Sequence, residues 1–331
     1  MRIVYSYITY RFDSVRLMPL EVALTAYLSV LQARKYYTDV VLYTNEAIKK
    51  QVEELGIPFT EINTSVLRDE LALCPSIPKL KTYAAQTEPF IHIDLDTIFF
   101  APLLHSKTHP VVFAHLDMRP GIDGPFEQYE TLHKAYFLPF YDNVLPKYYS
   151  KISLADIPNM NIVVVNDVEF FKQNVQKSLA LYESNKEYFD ADYYRFCTIE
   201  QLSIFAEMCN DSKNFRQIVQ DKEHVLHRRE TVLIHREEFP LEIELKNFNN
   251  RKIKLGRVQD IRRLLDETFG GYLHLCGNLK VHPVVQAFIM YLLLKEFKGK
   301  PLTDLENYFG PLSQLQGNKY FKELSYQALP R

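Results

Sequence analysis

The sequence predicts an α/β protein: a mostly parallel sheet flanked by helices, followed by a helical C-terminal extension. Strand-like runs alternate with segments of helical periodicity through the first hundred residues, and such alternation is typical of a parallel, doubly wound sheet. The connections between these segments are short, as expected for consecutive elements that pack side by side. No internal repeat or obvious linker interrupts the chain.

The predicted elements follow one another in a regular order. Residues 3–9 are β-branched and aromatic, and apolar residues at helical spacing run from Pro19 to Lys35,. Strand, helix and strand repeat over residues 39–63, with Gly56 ending the helix,. Further strands are predicted at 89–100, 111–115, 159–167, 231–235 and 271–280, and further helices at 77–88, 169–188, 198–208 and 283–297.

Composition limits the classes of function. Of 331 residues, 47% are apolar and 24% are charged, so we expect one enlarged globular domain,. The formal net charge is -2 without a long basic run, which argues against a nucleic-acid partner,. The four cysteines fit no Cys-x-x-Cys pattern and are interpreted as reduced thiols,.

The sequence also favours a cytoplasmic location. The first twelve residues lack the apolar core and cleavage site of a signal peptide,. The longest apolar stretch, near residues 287–294, is far short of the roughly 20 residues that span a bilayer,. Peripheral membrane association through a basic amphipathic helix stays open.

Two carboxylates, Asp94 and Asp96, stand near the end of the strand-like segment 89–100. Ligands of open α/β sheets bind beyond the carboxyl ends of the strands. Alternate residues of a strand share a face, so both carboxylates are expected on one face, as oxygen ligands for one Mn²⁺ or Mg²⁺. A metal there suits a diphosphate, whose developing charge it neutralises. The alternative is a strand end that turns into a solvated loop.

This segment resembles the Asp-x-Asp strand of GT-A glycosyltransferases, especially the glycogenin-like and bacterial galactosyltransferase-like groups, whose sheet is Rossmann-like. Residues 274–280, HLCGNLK, resemble the His-x-x-Gly-x-x-Lys signature of the same families. The resemblance implies that Asp96 and His274 ligate the metal, and that Asp94 lies between metal and nucleotide. It also places Gly277 and Lys280 at the diphosphate. Without the paired motif, a histidine in an apolar strand is more often a core residue.

Three further residues are implied in the chemistry by the same resemblance. Asn159 begins NMNIVVVND, which is similar to the family strand that borders the sugar pocket. Glu200 and Gln201 stand where relatives carry an acidic-Gln or Asp-Gln pair close to the reacting sugar. The alternatives are a capping asparagine and a capping box that begins at Thr198.

The remaining site candidates lie in the first third of the chain. Lys79 stands where many GT-A enzymes place a basic residue that approaches the nucleotide, although a solvated helix lysine is the usual alternative,. Tyr5, Ser6 and Tyr7 end the first predicted strand and are candidates to cradle the nucleoside base,. Ordinary strand packing would explain them equally well.

Taken together, the resemblance implies a metal-dependent, hexosyltransferase-type glycosyltransferase that uses a nucleotide-sugar donor, with UDP favoured and Mn²⁺ or Mg²⁺ as cofactor. Retention at the anomeric carbon is expected. The acceptor is a glycan, a lipid-linked precursor or a protein. Residues 1–282 would form the catalytic domain, with a nucleotide-binding half (1–100) and a sugar and acceptor half (101–282). Residues 283–331 would form the extension.

Two other classes of function remain as alternatives. The DLDT segment at 94–97 is similar to the nucleophile loop of haloacid-dehalogenase-like phosphatases, although three predicted strands precede it and its usual glycine is missing. A non-catalytic binding protein could retain the same scaffold, because fold does not dictate activity. Sugar nucleotidyltransferases are disfavoured because residues 3–18 contain no glycine for a phosphate loop.

Overall fold

A computed structural model of the chain describes a defined set of residues. These are residues 1–9, 17–67, 76–99, 102–103, 107–116, 158–190, 198–204, 232–234, 242–245, 253–254, 272–275, 283–297 and 304.

The described elements alternate between strands and helices from β1 to β4, as predicted for the first hundred residues. The helices are α1 (Leu20–Arg34), α2 (Glu46–Glu54), α3 (Ser76–Ala84), α4 (Val168–Ser184), α5 (Lys186–Asp190) and α6 (Pro283–Glu296), with a π-helix at Thr198–Ser203. The strands are β1 (Arg2–Ser6), β2 (Val40–Tyr43), β3 (Glu61–Asn63), β4 (Phe90–Ile93), β5 (Thr97–Phe99), β6 (Val111–Leu116), β7 (Pro158–Val165), β8 (Val232–Ile234), β9 (Glu242–Leu245), β10 (Ile253–Lys254) and β11 (Tyr272–His274).

A mixed sheet forms the centre of the described structure. Six strands lie in the order β3-β2-β1-β4-β7-β6. The first four are parallel to one another, whereas β7 runs antiparallel to both of its neighbours. The predicted α/β class, with a mostly parallel sheet flanked by helices, is therefore confirmed.

Helices α1 and α2 cover one face of this sheet. Alternate residues of β1, Ile3 and Tyr5, are fully buried in one apolar cluster with Leu24 of α1 and Ile48 of α2. Asn45 begins α2 by accepting a hydrogen bond from the backbone N–H of Ile48 at 3.0 Å, which is a standard N-cap,. The chain leaves α2 through a glycine at φ +64°, as predicted for that helix end,.

Helices α3 and α4 cover the opposite face. Tyr83 of α3 packs its ring 5.4 Å from Phe171 of α4 and 6.3 Å from Phe90 of β4. All three side chains are buried. The large apolar cluster thus lies on the side of α1 and α2, and an aromatic cluster fills the side of α3 and α4.

The C-terminal helix α6 shares the core of the first half of the chain. Ile289 and Leu293 are buried in the same cluster as α1. Glu296 accepts hydrogen bonds from Gln32 at 2.8 Å and from Lys35 at 2.6 Å, both at the C-terminal end of α1. None of the helices that the structure describes combines the length and apolarity needed to cross a membrane.

The predicted strand at 89–100 is divided in two, and this corrects one expectation. Strand β4 ends at Ile93, the backbone N–H of Thr97 donates to the carbonyl of Asp94 at 3.0 Å, and β5 starts a separate two-stranded sheet with β11. Asp94 therefore opens a turn and Asp96 lies within it, so strand alternation does not apply to the two carboxylates, and the argument that it places them on one face is wrong. Aspartate favours turns because its side chain competes for local backbone hydrogen bonds.

The fold predicts a strong dependence on Gln51. This side chain is 1% exposed and bonds both backbone groups of Met18, donating to the carbonyl at 2.8 Å and accepting from the N–H at 2.7 Å. Gln51→Ala leaves both groups unpaired and is expected to lower the free energy of unfolding by about 2–4 kcal/mol, measured by urea unfolding. Lys50→Ala, at the exposed neighbouring position, is expected to change it by about 0.5 kcal/mol or less. Equal losses in the two variants would contradict this account.

Candidate functional site

The candidate site lies at the carboxyl edge of the parallel strands. In the pairing of β1 with β4, Val4 lies opposite His92, so Ser6 is level with Asp94 at the strand ends. The backbone N–H of Asp94 donates to the carbonyl of Asn161 in β7 at 2.9 Å. Three strands thus converge at the edge where open α/β sheets bind their ligands.

One ammonium group connects two carboxylates at this edge. The Nζ atom of Lys79 lies 2.7 Å from Oδ1 of Asp94 and 3.1 Å from Oε1 of Glu200. The side chains of Lys79 and Asp94 are 20% and 23% exposed, whereas that of Glu200 is only 5% exposed. The two carboxylates come from distant parts of the sequence, and Lys79 joins them.

One face of helix α3 surrounds Glu200. Ser76, Lys79 and Tyr83 are spaced three and four residues apart, so they share a helix face,. The Ser76 hydroxyl donates to Oε2 of Glu200 at 3.2 Å, and the Tyr83 hydroxyl donates to Oε1 at 3.2 Å. Pro78 in the first turn is tolerated because its missing N–H would have no intrahelical partner there. Both carboxylate oxygens of Glu200 are therefore occupied by donors from α3.

The π-helix holds Glu200 in this position. The hydroxyl groups of Ser203 and of Ser178 in α4 are 2.9 Å apart, and Ile204 is fully buried. π-Helical turns are rare and frequently occur at functional sites. The helix predicted at 198–208 is thus present as π-helical backbone at Thr198–Ser203, and residues 205–208 lie outside the described residues.

Burial and charge set the protonation states of the cluster. Burial alone would lower the pKa of Lys79, but Asp94 and Glu200 together raise it well above its usual value. Burial raises the pKa of Glu200, and Lys79 opposes this effect while Asp94 adds to it. Lys79 therefore remains cationic and is the positive charge on which the pair of carboxylates depends.

A buried histidine lies behind the carboxylates. Nε2 of His92 is 2.9 Å from the Ser6 hydroxyl, and Nδ1 is 3.4 Å from the Tyr83 hydroxyl. The ring is fully buried and meets the Tyr83 ring edge-on, with centroids 4.8 Å apart. Burial, reinforced by the positive charge of Lys79, holds the pKa of His92 well below its usual value. The imidazole is therefore neutral.

The backbone brings the two predicted metal-binding segments together. The N–H of Leu275 donates to the carbonyl of Asp96 at 2.9 Å, and His274 in β11 pairs with Thr97 in β5. The side chain of His274 lies outside the described residues, as do Gly277 and Lys280 in full. Among the side chains that are described, no group of three or more potential ligands gathers around one point.

The other predicted residues fall in different surroundings. Asn159 lies in β7 opposite His115 of β6, and its side chain is outside the described part. Gln201 is partly buried in the π-helix beside Glu200. The N–H of Tyr7 donates to the carbonyl of Tyr43 at 3.0 Å, continuing the β1–β2 edge beyond Ser6. Residues 117–150, which belong to the predicted sugar and acceptor half 101–282, lie outside the described residues.

For Tyr5 the packing alternative holds. The residue is fully buried, its hydroxyl lies 2.9 Å from that of Ser29 in α1, and its ring meets Phe59 edge-on at 5.5 Å. A ring enclosed in this way has no face on which a nucleoside base could stack. Strand alternation explains the result, since Ser6 lies on the opposite face of β1.

Three residues of the cluster escaped the sequence-based reasoning: Ser76, Tyr83 and His92. Ser76 and Tyr83 share the helical spacing of Lys79, which was a usable signal,. His92 is a polar residue inside the otherwise apolar strand that precedes Asp94. Neither pattern identifies Glu200 as the residue that these side chains surround, because Glu200 is far away in the sequence.

Comparison with known proteins yields a family and a distant structural likeness. The family described as "Family of unknown function (DUF6734)" matches residues 21–300. No curated protein matches the chain.

Similar solved structures include the galactosyltransferase LgtC in complex with donor and acceptor sugar analogues (13% identity, 63% of this chain and 69% of that chain covered, TM-score 0.31). An active-site mutant of LgtC matches at 12% identity, covering 61% and 71%, with TM-score 0.33. Mouse xyloside xylosyltransferase 1, apo form, matches at 10% identity, covering 76% and 98%, with TM-score 0.33. Likeness at this level carries no functional inference, which has to come from the site.

The neutral state of His92 predicts an acid-sensitive fold. Because its pKa is lowered in the folded chain, its contribution to stability is complete above the unfolded pKa of about 6.5 and is lost as pH falls towards the folded pKa,. His92→Asn is expected to reduce this loss between about pH 6.5 and 5 by up to about 1.4 kcal/mol per pH unit. Thermal unfolding of both proteins as a function of pH, in buffers that contain a chelator, measures this loss of stability.

Comparing the wild type with His92→Asn separates the contribution of His92 to the pH dependence from that of the other cluster residues. The raised pKa of Glu200 acts with the opposite sign, since its stabilisation is lost as pH rises through the folded pKa,. That contribution is common to both proteins. Above pH 7.5 the two stability curves should run parallel, and parallel curves down to pH 5 as well would contradict the assignment.

Proposed function

Because the chain belongs to the family of unknown function DUF6734, we propose its activity from the site itself: a metal-dependent GT-A-type glycosyltransferase of the hexosyltransferase kind. It takes a sugar from a nucleotide-sugar donor, with UDP as the favoured nucleotide. The acceptor is a glycan, a lipid-linked precursor or a protein. The observation that carries the proposal is the hydrogen bond from Leu275 N–H to the carbonyl of Asp96, which joins the two motif segments.

The donor set suits a divalent metal at this edge. Asp94 opens the turn after β4, Asp96 lies within that turn, and the backbone of His274 pairs with Thr97 directly after it. Carboxylate oxygens with one imidazole are suitable ligands for Mn²⁺, and Mg²⁺ accepts the carboxylates. These three residues would hold the metal, which when bound supplies positive charge to a diphosphate leaving group.

Lys79 provides a positive charge from the protein itself. Its ammonium group is fixed between Asp94 and Glu200, yet a fifth of the side chain reaches the surface. A cation held in advance stabilises developing negative charge without reorganising at the moment of reaction. Lys79 is therefore proposed to face the phosphate or sugar of the donor, with Gly277 and Lys280 at the diphosphate.

The remaining residues divide between the two substrates. Ser6 ends β1 and Tyr7 follows it, at the edge where the nucleoside is proposed to bind, within the nucleotide half 1–100. Asn159 and Gln201 border the proposed sugar pocket, and the acceptor meets the half 101–282. Retention at the anomeric carbon is part of the proposal. Residues 283–331 complete the domain organisation as its C-terminal extension.

Nucleotide binding tests this function first. UDP with Mn²⁺ at about 100-fold its Kd should stabilise the folded protein by about 2.7 kcal/mol, because ligands that bind only the folded state raise its stability. GDP and either component alone should act more weakly. Asp96→Asn is expected to abolish the joint effect in a thermal-shift assay. Glu88→Gln also removes one negative charge, but at an exposed position just before β4, and this variant should retain the joint effect.

Two outcomes would contradict the assignment. The joint shift could persist in Asp96→Asn, in which case the turn does not hold the metal. Alternatively, nucleotides could have no effect while the protein hydrolyses p-nitrophenyl phosphate with Mg²⁺. The latter result would favour a phosphatase that uses the DLDT segment.

Lys79 is predicted to matter for turnover. Lys79→Met removes a cation that faces the leaving group and should lower kcat for hydrolysis of UDP-glucose or UDP-galactose about 10²- to 10³-fold. Release of UDP measures the rate. Lys81→Met is the matched control, since residues two positions apart on a helix do not share a face. Equal rates for the two variants would remove Lys79 from the site.

A further inference from the structure

We propose that Tyr83 and His92 form a positioning relay that connects the hydroxyl of Ser6 to the carboxylate of Glu200 and thereby holds Lys79 in place. The consequence for turnover rests on the proposed function. The relay itself rests on contacts between described residues alone. It assigns a role to two side chains that the predicted motifs do not include.

The relay is a continuous chain of polar contacts across four elements. Oε1 of Glu200 in the π-helix is 3.2 Å from the hydroxyl of Tyr83 in α3. That hydroxyl is 3.4 Å from Nδ1 of His92 in β4, and Nε2 is 2.9 Å from the hydroxyl of Ser6 in β1. The same Oε1 atom of Glu200 lies 3.1 Å from Nζ of Lys79. The strand edge and the ammonium group are thus the two ends of one network.

Because these groups are buried, losing any of these contacts would destabilise the fold. Tyr83 and His92 are fully buried, and Glu200 is 3% exposed. A buried polar group that loses its partner is not compensated by water, so each member depends on the next. The rings of Phe171 and Phe90 enclose Tyr83, which limits the positions that its hydroxyl can adopt.

The network also has a direction. A carboxylate accepts hydrogen bonds and does not donate them, so Tyr83 donates to Glu200,. The Tyr83 oxygen then accepts from Nδ1–H of His92. In a neutral imidazole the other nitrogen, Nε2, is an acceptor, so it receives the proton of the Ser6 hydroxyl. The geometry therefore selects the Nδ1–H tautomer.

The relay acts through Lys79. Without the Tyr83 hydroxyl, Glu200 keeps its contacts to Ser76 and Lys79 but loses the one that links it to the sheet. A displacement of a catalytic group by about 1 Å can cost up to about 10²-fold in rate. Tyr83 and His92 are accordingly positioning residues, since each acts on the site through Glu200.

Tyr83→Phe tests the positioning role. We expect kcat for UDP-sugar hydrolysis to fall about 10- to 10²-fold, because Lys79 is less precisely held, while the Kd for UDP with Mn²⁺ changes by less than about twofold. Tyr37→Phe is the matched control, because it also removes a hydroxyl that bonds a neighbour, here the backbone N–H of Leu103 at 2.9 Å. An unchanged kcat in folded Tyr83→Phe would overturn the role.

Two variants of His92 separate the ends of the relay. His92→Asn keeps an amide N–H near the position of Nδ1 and loses the acceptor for Ser6. His92→Phe loses both. We expect His92→Asn to retain more of the wild-type kcat than His92→Phe, and the opposite order would contradict the direction of the relay.

A spectroscopic measurement tests the relay independently of catalysis. In ¹⁵N spectra of the imidazoles, assigned by loss of a signal in His92→Asn, the wild type should show a protonated Nδ1 and an unprotonated Nε2. In Tyr83→Phe the Nδ1 proton loses its acceptor, and the Nε2–H form should increase. A wild type in the Nε2–H form would overturn the relay. A wild type that neither binds UDP nor hydrolyses a donor would overturn the proposed function, while the tautomer would still decide the relay.

Discussion

The arrangement at the sheet edge depends on the ammonium group of Lys79. Asp94 and Glu200 would repel each other without a cation between them, and Glu200 is too deeply buried for water to compensate its charge,. Removing one partner of such a group leaves an uncompensated charge, which is far more costly than the net value of the pair. This constraint keeps α3, the turn after β4 and the π-helix in one geometry.

Strand pairing fixes the position of the turn after β4, against which the ammonium group of Lys79 lies. Strand β7 runs antiparallel beside β4, and its Asn161 carbonyl accepts a hydrogen bond from the N–H of Asp94. Strand β11 pairs with β5, and Leu275, which follows β11, donates its N–H to the carbonyl of Asp96. Segments from the middle and the end of the chain thus reach the same short turn. The two faces of the sheet differ accordingly. The face against α1 carries most of the large apolar cluster, whereas the face against α3 carries the network from Ser6 to Glu200.

Much of the fold and part of the site could be predicted from the sequence. The alternation of strands and helices and the end of α2 at Gly56 follow from local periodicity and turn chemistry,. Lys79, Asp94 and Glu200 were each singled out, but as separate candidates. The break in the strand at Asp94 was missed because apolar residues continue on both sides, so the periodicity does not change there.

The sequence by itself determined the α/β class, the order of its elements and the residue types available for chemistry, because these depend on spacing within a few residues. Only the tertiary structure decided which of those residues meet. It enclosed Tyr5 in the core, joined Lys79 to two distant carboxylates and placed His92 behind them. The physical reason is that charge pairing, burial and hydrogen bonding act through space, between residues whose separation along the chain carries no signal of their contact.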